Sequence, residues 1–246
     1  MNETVDAVVI GAGPNGLVAT AALADAGWDV LLLEAQDEVG GAVRSAQLWP
    51  GATTDLFSAF YPLAAASPVI KRLDLHHHGL EWVQAPNVIA HLADAEATEA
   101  AILHRRVEDT AEALDRVAPG DGEAWIEVFA QWQRLREPLL DALFTPFPPV
   151  RSGARLLYRA GAHEAMQLAR MALTPVTRLG QELFNGEAAQ LLMAGNAMHA
   201  DVPMDSPGSG LYGWLLAMLA QDVGFPVPKG GSGVLTQAMA SRARRP

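Results

Sequence analysis

The first part of the chain alternates between short apolar runs and a longer alanine- and leucine-rich stretch. The β-branched run 5–10 predicts a buried strand. Residues 17–26 predict a helix that Gly27 closes, and residues 28–33 predict a second strand that ends in Glu34. Together they predict one strand–helix–strand unit of about thirty residues.

The turn between the first strand and the helix carries a glycine pattern typical of dinucleotide-binding sites. It has the spacing G-x-G-x-x-G and consists of Gly11, Ala12, Gly13, Pro14, Asn15 and Gly16. The first glycine permits the tight turn, the second lets a pyrophosphate approach the backbone, and the third lets helix and strand pack closely. The helix N-terminus then offers free N–H groups and a partial positive charge to phosphate.

An acidic residue closes the second strand where such a site requires one. Glu34 lies 23 positions after Gly11 and is followed by Ala35. Its carboxylate can accept hydrogen bonds from ribose hydroxyls, and its charge disfavours a 2′-phosphate. This fingerprint alone fits either NAD or FAD, and a strand–turn–helix without a ligand is the remaining alternative.

A second glycine-rich segment follows the second strand. It contains Gly40 and Gly41, with Arg44 three positions later. The segment resembles the one at this place in flavoproteins of the phytoene desaturase and amine oxidase superfamily. That resemblance implies a second approach to the FAD diphosphate, with Arg44 as its cation through a planar donor fork; a surface arginine is the alternative. Family members often place the arginine directly after the glycine pair, whereas Ala42 and Val43 intervene here.

The resemblance extends over essentially the whole chain. Segments 50–63, 78–82 and 230–235 resemble bacterial phytoene desaturase-like oxidoreductases, and especially the pyridine nucleotide-disulfide oxidoreductase domain-containing 2 type. It implies an α/β fold with a Rossmann-like FAD-binding domain and an inserted, mainly helical substrate or cap domain. It also implies FAD as the cofactor and hydride transfer from an apolar or amine-bearing substrate to the flavin.

The middle of the chain has its own pattern. Three short strand candidates, 80–84, 88–92 and 101–104, suggest a small antiparallel sheet, and helical patterns begin near residue 107. We therefore predict three regions. Residues 1–70 form an FAD-binding strand–helix–strand unit, residues 71–205 form a substrate or cap region, and residues 206–246 return to the FAD-binding domain.

Family members are longer than this chain, so we expect a FAD-binding domain that is incomplete at its C-terminal side. Only two clear parallel strands are predicted, and unpaired sheet edges promote association. We expect self-association or a second chain that supplies the missing C-terminal half. Two alternative functions stay open: a truncated, non-catalytic fragment or subunit that needs a partner chain, and an NAD-dependent dehydrogenase.

Composition narrows the classes of function. The net charge of −11 argues against nucleic-acid binding, which needs a basic surface. The absence of cysteine excludes disulfides and thiolate chemistry and suits a cytoplasmic protein. The longest apolar run, 211–220, is shorter than the roughly 20 residues that a membrane span needs, which leaves peripheral membrane contact open.

The sequence names no clear catalytic group. His199 and Asp201 form the most interesting polar pair, because two such groups can relay a proton; a helix cap and loop is the alternative interpretation. The tract 76–78 consists of three histidines, but adjacent side chains point apart, so we predict no metal site.

Overall fold

The computed structural model describes residues 4–244, and they divide into two compact units. Unit 1 contains the described residues up to Gln84 and from Phe225 onward, and unit 2 contains residues 85–224. The fold is mixed α/β, as predicted. The sequence-based division of the chain after residues 70 and 205 stays a prediction.

Unit 1 begins with the predicted strand–helix–strand unit. Strand β1 (Ala7–Ile10) is followed by helix α1 (Pro14–Asp25) and strand β2 (Val30–Leu33). The two strands are parallel, with Ala7 opposite Val30. Helix α1 begins earlier than the predicted residue 17, because proline has a helical φ and needs no hydrogen-bond acceptor in the first turn.

A hairpin and several short elements follow in unit 1. The hairpin turns at Pro50 and Gly51, and the φ of +78° at position 51 favours glycine. The sequence analysis did not predict this hairpin. In chain order, the elements are β3 (Ser45–Trp49), β4 (Ala52–Asp55), α2 (Pro62–Ala66), α3 (Pro68–Arg72), a 3₁₀ turn (Leu75–His78) and β5 (Trp82–Val83).

Unit 2 is mainly helical and carries one antiparallel strand pair, β6 (Asn87–His91) with β7 (Ala101–His104). The helices are α4 (Val107–Val117), α5 (Asp121–Leu143), α6 (Val150–Leu173), α7 (Val176–Leu183), α8 (Glu187–Ala197) and α9 (Ser209–Val223). Its core contains the fully buried Trp125 and Trp132 of α5 and Trp214 of α9. The apolar faces of these helices therefore form the core of the unit.

One strand prediction is wrong in its pairing. The segment at residues 80–84 was expected to join the other two candidates in one antiparallel sheet. Strand β5 instead pairs antiparallel with β8 (Val227–Pro228), whereas β6 and β7 pair with each other. After β8, helix α10 (Gly233–Ala243) packs against α1 and closes the core of unit 1.

The β1–β2 sheet has an open apolar face. Its exposed side chains are Val8, Ile10, Leu31 and Leu33, and Ile10 is 85% exposed. Parallel sheets are usually covered on both faces. Within the part of the chain that the structure describes, this face has no such cover.

Candidate functional site

Two glycine loops of unit 1 face each other. The first glycine loop, residues 11–16, leads into α1, and the second glycine loop, residues 40–44, follows β2. The N–H of Gly40 donates to the carbonyl of Ala12 at 2.9 Å. A Cβ on Gly41 would lie 3.3 Å from the Cα of Gly13. The structure thus brings together the two segments that the sequence proposed for a dinucleotide.

The first glycine loop depends on glycine for two different reasons. Gly11 has a φ of +94°, a conformation that residues with a Cβ rarely adopt. Gly16 is helical, but a Cβ there would overlap the carbonyl oxygen of Gly11. The first glycine therefore forms the turn, and the third lets α1 approach the end of β1.

The first loop also presents unused hydrogen-bond donors. Among residues 4–244, no acceptor is found for the backbone N–H groups of Gly13, Asn15 and Gly16. A Cβ on Gly13 would meet nothing closer than the Cα of Gly41 at 3.9 Å, so the space over these donors is open. Free N–H groups at a helix N-terminus, with the partial positive charge of the helix, form a site suited to phosphate.

Glu34 and Arg44 place opposite charges beside the loops. One carboxylate oxygen of Glu34 accepts from the N–H of Ala12 at 2.7 Å, and the other accepts from the N–H of Gln36 at 3.0 Å. These bonds, in that order, lower the pKa of Glu34 below its usual value, and the charge of Arg44 acts in the same direction. The carboxylate is therefore ionised at neutral pH.

Arg44 is oriented by its own loop. Its Nε donates to the carbonyl of Gly41 at 3.0 Å, and its guanidinium carbon lies 5.9 Å from the ring centre of Phe57. The remaining guanidinium N–H groups can then donate to an anion at the second glycine loop.

A cavity of about 420 Å³ opens beside Glu34. Its volume falls in the usual range for small-molecule sites. Most of its lining side chains are apolar. They come from the first glycine loop, α1, β2 with the segment that follows it, and the C-terminal end of α10: Ala12, Thr20, Val30, Leu32, Val39, Ala240, Ala243 and Arg244.

The segment at residues 230–233 and the start of α10 are hydrogen-bonded to the β3–β4 hairpin and to the second glycine loop. One carboxylate oxygen of Asp55 accepts from the Ser45 hydroxyl and from the N–H of Ser232, both at 2.7 Å. The hydroxyl of Thr236 donates to the carbonyl of Val43 at 2.9 Å. The sequence analysis missed these supporting residues. Ser232 and Thr236 lie 177 and 193 positions from their partners, so no local pattern joins them.

The proposed polar pair lies in unit 2. His199 belongs to a 3₁₀ turn, Met198–Ala200, after α8, and Asp201 follows with a left-handed φ of 53°. Its part in proton transfer stays a prediction. The structure adds His91, which the sequence analysis did not single out. Its Nε2 is buried without a partner among the described residues, and burial, followed by the charge of His199, lowers its pKa.

Two kinds of feature are absent from the described residues. In residues 4–244, no group of three or more His, Asp or Glu side chains is placed to hold a metal ion. Over the same residues, none of the helices has the length and apolar character that crossing a membrane requires.

Comparison with known proteins agrees with this geometry. Residues 9–73 match the NAD(P)-binding Rossmann-like domain family. The chain is 27% identical to pyridine nucleotide-disulfide oxidoreductase domain-containing protein 2 of Rattus norvegicus, over 97% of the chain and 45% of that protein. It is 33% identical to a limonene dehydrogenase subunit of Castellaniella defragrans, over 55% of the chain and 24% of that relative. The chain thus spans less than half the length of these relatives.

A solved structure extends the likeness to the fold. A putrescine oxidase variant from a redesign of cofactor binding superimposes on 98% of this chain and 49% of its own, with a TM-score of 0.55 and 17% identity. At this identity the likeness concerns the fold alone. The chain thus carries a Rossmann-like dinucleotide-binding domain and is similar in sequence to oxidoreductases.

Proposed function

We propose that this chain binds FAD and forms the cofactor-binding part of an FAD-dependent oxidoreductase. The observation that carries the proposal is the pair of facing glycine loops. Free N–H groups of the first loop adjoin the backbone of the second, and no side chain fills the space at Gly13. Two loops give a diphosphate two approaches, whereas a Rossmann fingerprint alone supplies one.

The residues divide into three groups by the part of FAD that they would hold. The first glycine loop would bind the pyrophosphate through its backbone, the end of β2 would bind the adenosine ribose, and the second glycine loop would give the second phosphate contact. The groups are Gly11, Ala12, Gly13, Pro14, Asn15 and Gly16; Glu34 and Ala35; and Gly40, Gly41 and Arg44.

The chain's own residues bind and orient, and the cofactor supplies the redox chemistry. A bound flavin would supply the hydride-accepting group. The ionised Glu34 would hold the ribose hydroxyls and repel a 2′-phosphate, while Arg44 would neutralise phosphate charge. An apolar or amine-bearing substrate is our proposal, supported by relatives whose names include limonene dehydrogenase and putrescine oxidase.

Equilibrium titration with FAD tests the site assignment. We expect Glu34→Gln to weaken FAD binding by roughly tenfold or more, because the variant replaces a charged acceptor by a neutral amide. The exposed Glu96→Gln is a matched control and should leave FAD binding unchanged. Equal FAD affinity in the Glu34 variant and the unmodified chain would remove this residue from the site.

The same titration, run with NAD, addresses the alternative of an NAD-dependent dehydrogenase. The name of the matching domain family fits that alternative. FAD is favoured because the second glycine loop and Arg44 have no part in a site built on the fingerprint alone. Tighter binding of NAD than of FAD would establish the alternative.

A subunit that needs a partner chain is the second candidate function. The exposed apolar face of the β1–β2 sheet favours it, since a parallel sheet is normally covered on both faces. One relative is itself named as a subunit. Sedimentation velocity tests this candidate: we expect the chain alone to associate, and Ile10→Lys to reduce the association. A monomer with a cooperative, high-temperature unfolding transition would exclude it.

A further inference from the structure

The first arm of α6 carries an exposed apolar stripe. We use the name apolar stripe for Phe147 in the preceding loop and for Val150, Ala154, Leu157 and Tyr158. The four helical members recur at the spacing of one helix face. Phe147 is 94% exposed and Tyr158 is 88% exposed. On the other side of the helix Ser152 is buried, so the stripe points away from the core.

The apolar stripe ends at a break in the helix. Gly161 has a φ of 72° and a ψ of 175°, which interrupts the helical backbone. The arm at residues 150–160 is therefore too short to cross a bilayer, which needs roughly 20 residues. It is long enough to lie along a surface.

Positive charge runs beside the stripe. Between residues 142 and 163 the only Asp, Glu, Lys or Arg residues are Arg151, Arg155 and Arg159, in a chain whose net charge is −11. Arg155 pairs with Asp141 at 3.0 Å and Arg159 with Glu137 at 3.1 Å, across to α5. Arg151 has no ion pair with any residue in the described range 4–244.

These features favour a lipid surface over a second copy of the chain. A two-fold symmetric contact would bury the stripe against itself, but it would offer Arg151 no negative partner from residues 142–163, which contain no Asp or Glu. An anionic bilayer instead offers negative headgroups to the arginines and acyl chains to the aromatic rings. The overall negative charge opposes this weakly, because distant charges are screened within about 8 Å at physiological salt.

We propose that the apolar stripe and Arg151 bind the surface of an anionic phospholipid membrane. Phe147 and Tyr158 insert at the level between headgroups and acyl chains, as in helices that lie in a membrane interface. Arg151 contacts lipid phosphate. The contact is peripheral and independent of the cofactor site in unit 1.

Vesicle flotation of the full 246-residue chain tests the proposal. The probes are phosphatidylcholine vesicles with and without phosphatidylglycerol. We expect binding to the anionic vesicles only, and weaker binding as salt increases. Phe147→Ser with Tyr158→Ser should reduce binding at least tenfold, and Arg151→Gln about fivefold. The control Leu173→Ser changes another exposed apolar residue of α6, 74% exposed and beyond the break, and should have little effect.

Circular dichroism checks that the variants fold, and Tyr158→Ser alone replaces the double variant if that one does not. Binding to neither vesicle type, equal binding to both, or binding that the Tyr158 substitution leaves unchanged would overturn the proposal. Sedimentation velocity tests whether a second copy of the chain binds the stripe instead. A dimer that the stripe variants dissociate would assign the stripe to that contact and overturn the proposal.

Discussion

Gly16→Ala is expected to destabilise unit 1, although it adds a single methyl group. A Cβ at this position would overlap the carbonyl oxygen of Gly11 and lie 3.1 Å from its carbonyl carbon. Both atoms belong to the backbone of the turn after β1, so neither can rotate aside as a flexible side chain would. The first turn of α1 therefore has to move away from the strand.

The expected loss of stability follows from that displacement. Overpacking of a well-packed interior costs about 1–3 kcal/mol of unfolding free energy. We expect about 3 kcal/mol, because the obstructing atoms are backbone and the Cβ would also lie 3.5 Å from the side chain of Val9. For a unit of about 100 residues, this lowers the midpoint of thermal unfolding by about 10 °C or more.

Gly13→Ala is the matched control. A Cβ there would meet nothing closer than 3.9 Å, and the φ of −72° suits any residue. Its stability should stay within about 1 kcal/mol of the unmodified chain. Calorimetry gives the midpoint, and hydrogen exchange resolved by peptide separates β1 and α1 from unit 2. Equal midpoints for the two variants, or faster exchange confined to unit 2, would refute the reasoning.

Two predictions concern unit 2. The buried carboxylate of Asp121 accepts hydrogen bonds from the N–H groups of Asn185 at 2.7 Å and Gly186 at 2.8 Å. Asp121→Asn should therefore lower the unfolding free energy, measured by urea denaturation, by about 2 kcal/mol. A change under about 0.5 kcal/mol would contradict this prediction. Burial, followed by the charge of His199, lowers the pKa of His91, so the unfolded chain binds that proton more tightly. The free energy of unfolding should therefore decline as the pH falls below about 6.5. In His91→Phe, the midpoint of thermal unfolding should fall less over this pH range. An equal fall in the variant would show that other groups cause the decline.

The strand–helix–strand unit and its glycine loop could be predicted because their information is local. A β-branched run, a glycine turn and an alanine-rich stretch each specify their own backbone within a few residues. The close contact between Gly16 and Gly11, which leaves no room for a Cβ, likewise involves residues only five positions apart. The predicted helix began at residue 17, because the prediction followed the alanine- and leucine-rich run. In the structure α1 begins three residues earlier, at Pro14.

Long-range pairings could not be predicted from such patterns. Residues 80–84 have strand character, but two extended residues do not specify a partner, and β5 pairs with β8 far along the chain. The same holds for Asp55, which receives hydrogen bonds from Ser45 and Ser232. Here the fold, and not the local sequence, brings the donors to the carboxylate.

The second glycine loop could be predicted only in part. Its resemblance to flavoproteins pointed to a cofactor role, but only the structure places Gly41 against Gly13 and directs Arg44 back to its own loop. His91 escaped notice because a histidine at the end of a strand is unremarkable in sequence. Its packing against Gly195, where a Cβ would overlap the imidazole, becomes visible only in the folded unit.

The visible absorption spectrum tests the central claim most directly, namely that the two glycine loops together bind FAD. The purified chain and its Gly13→Val variant are each incubated with excess FAD and desalted. We expect the unmodified chain to retain a flavin spectrum and the variant to lose it, because the valine side chain fills the space over the free N–H groups. A flavin spectrum of equal intensity in both proteins, or in neither, would contradict the claim.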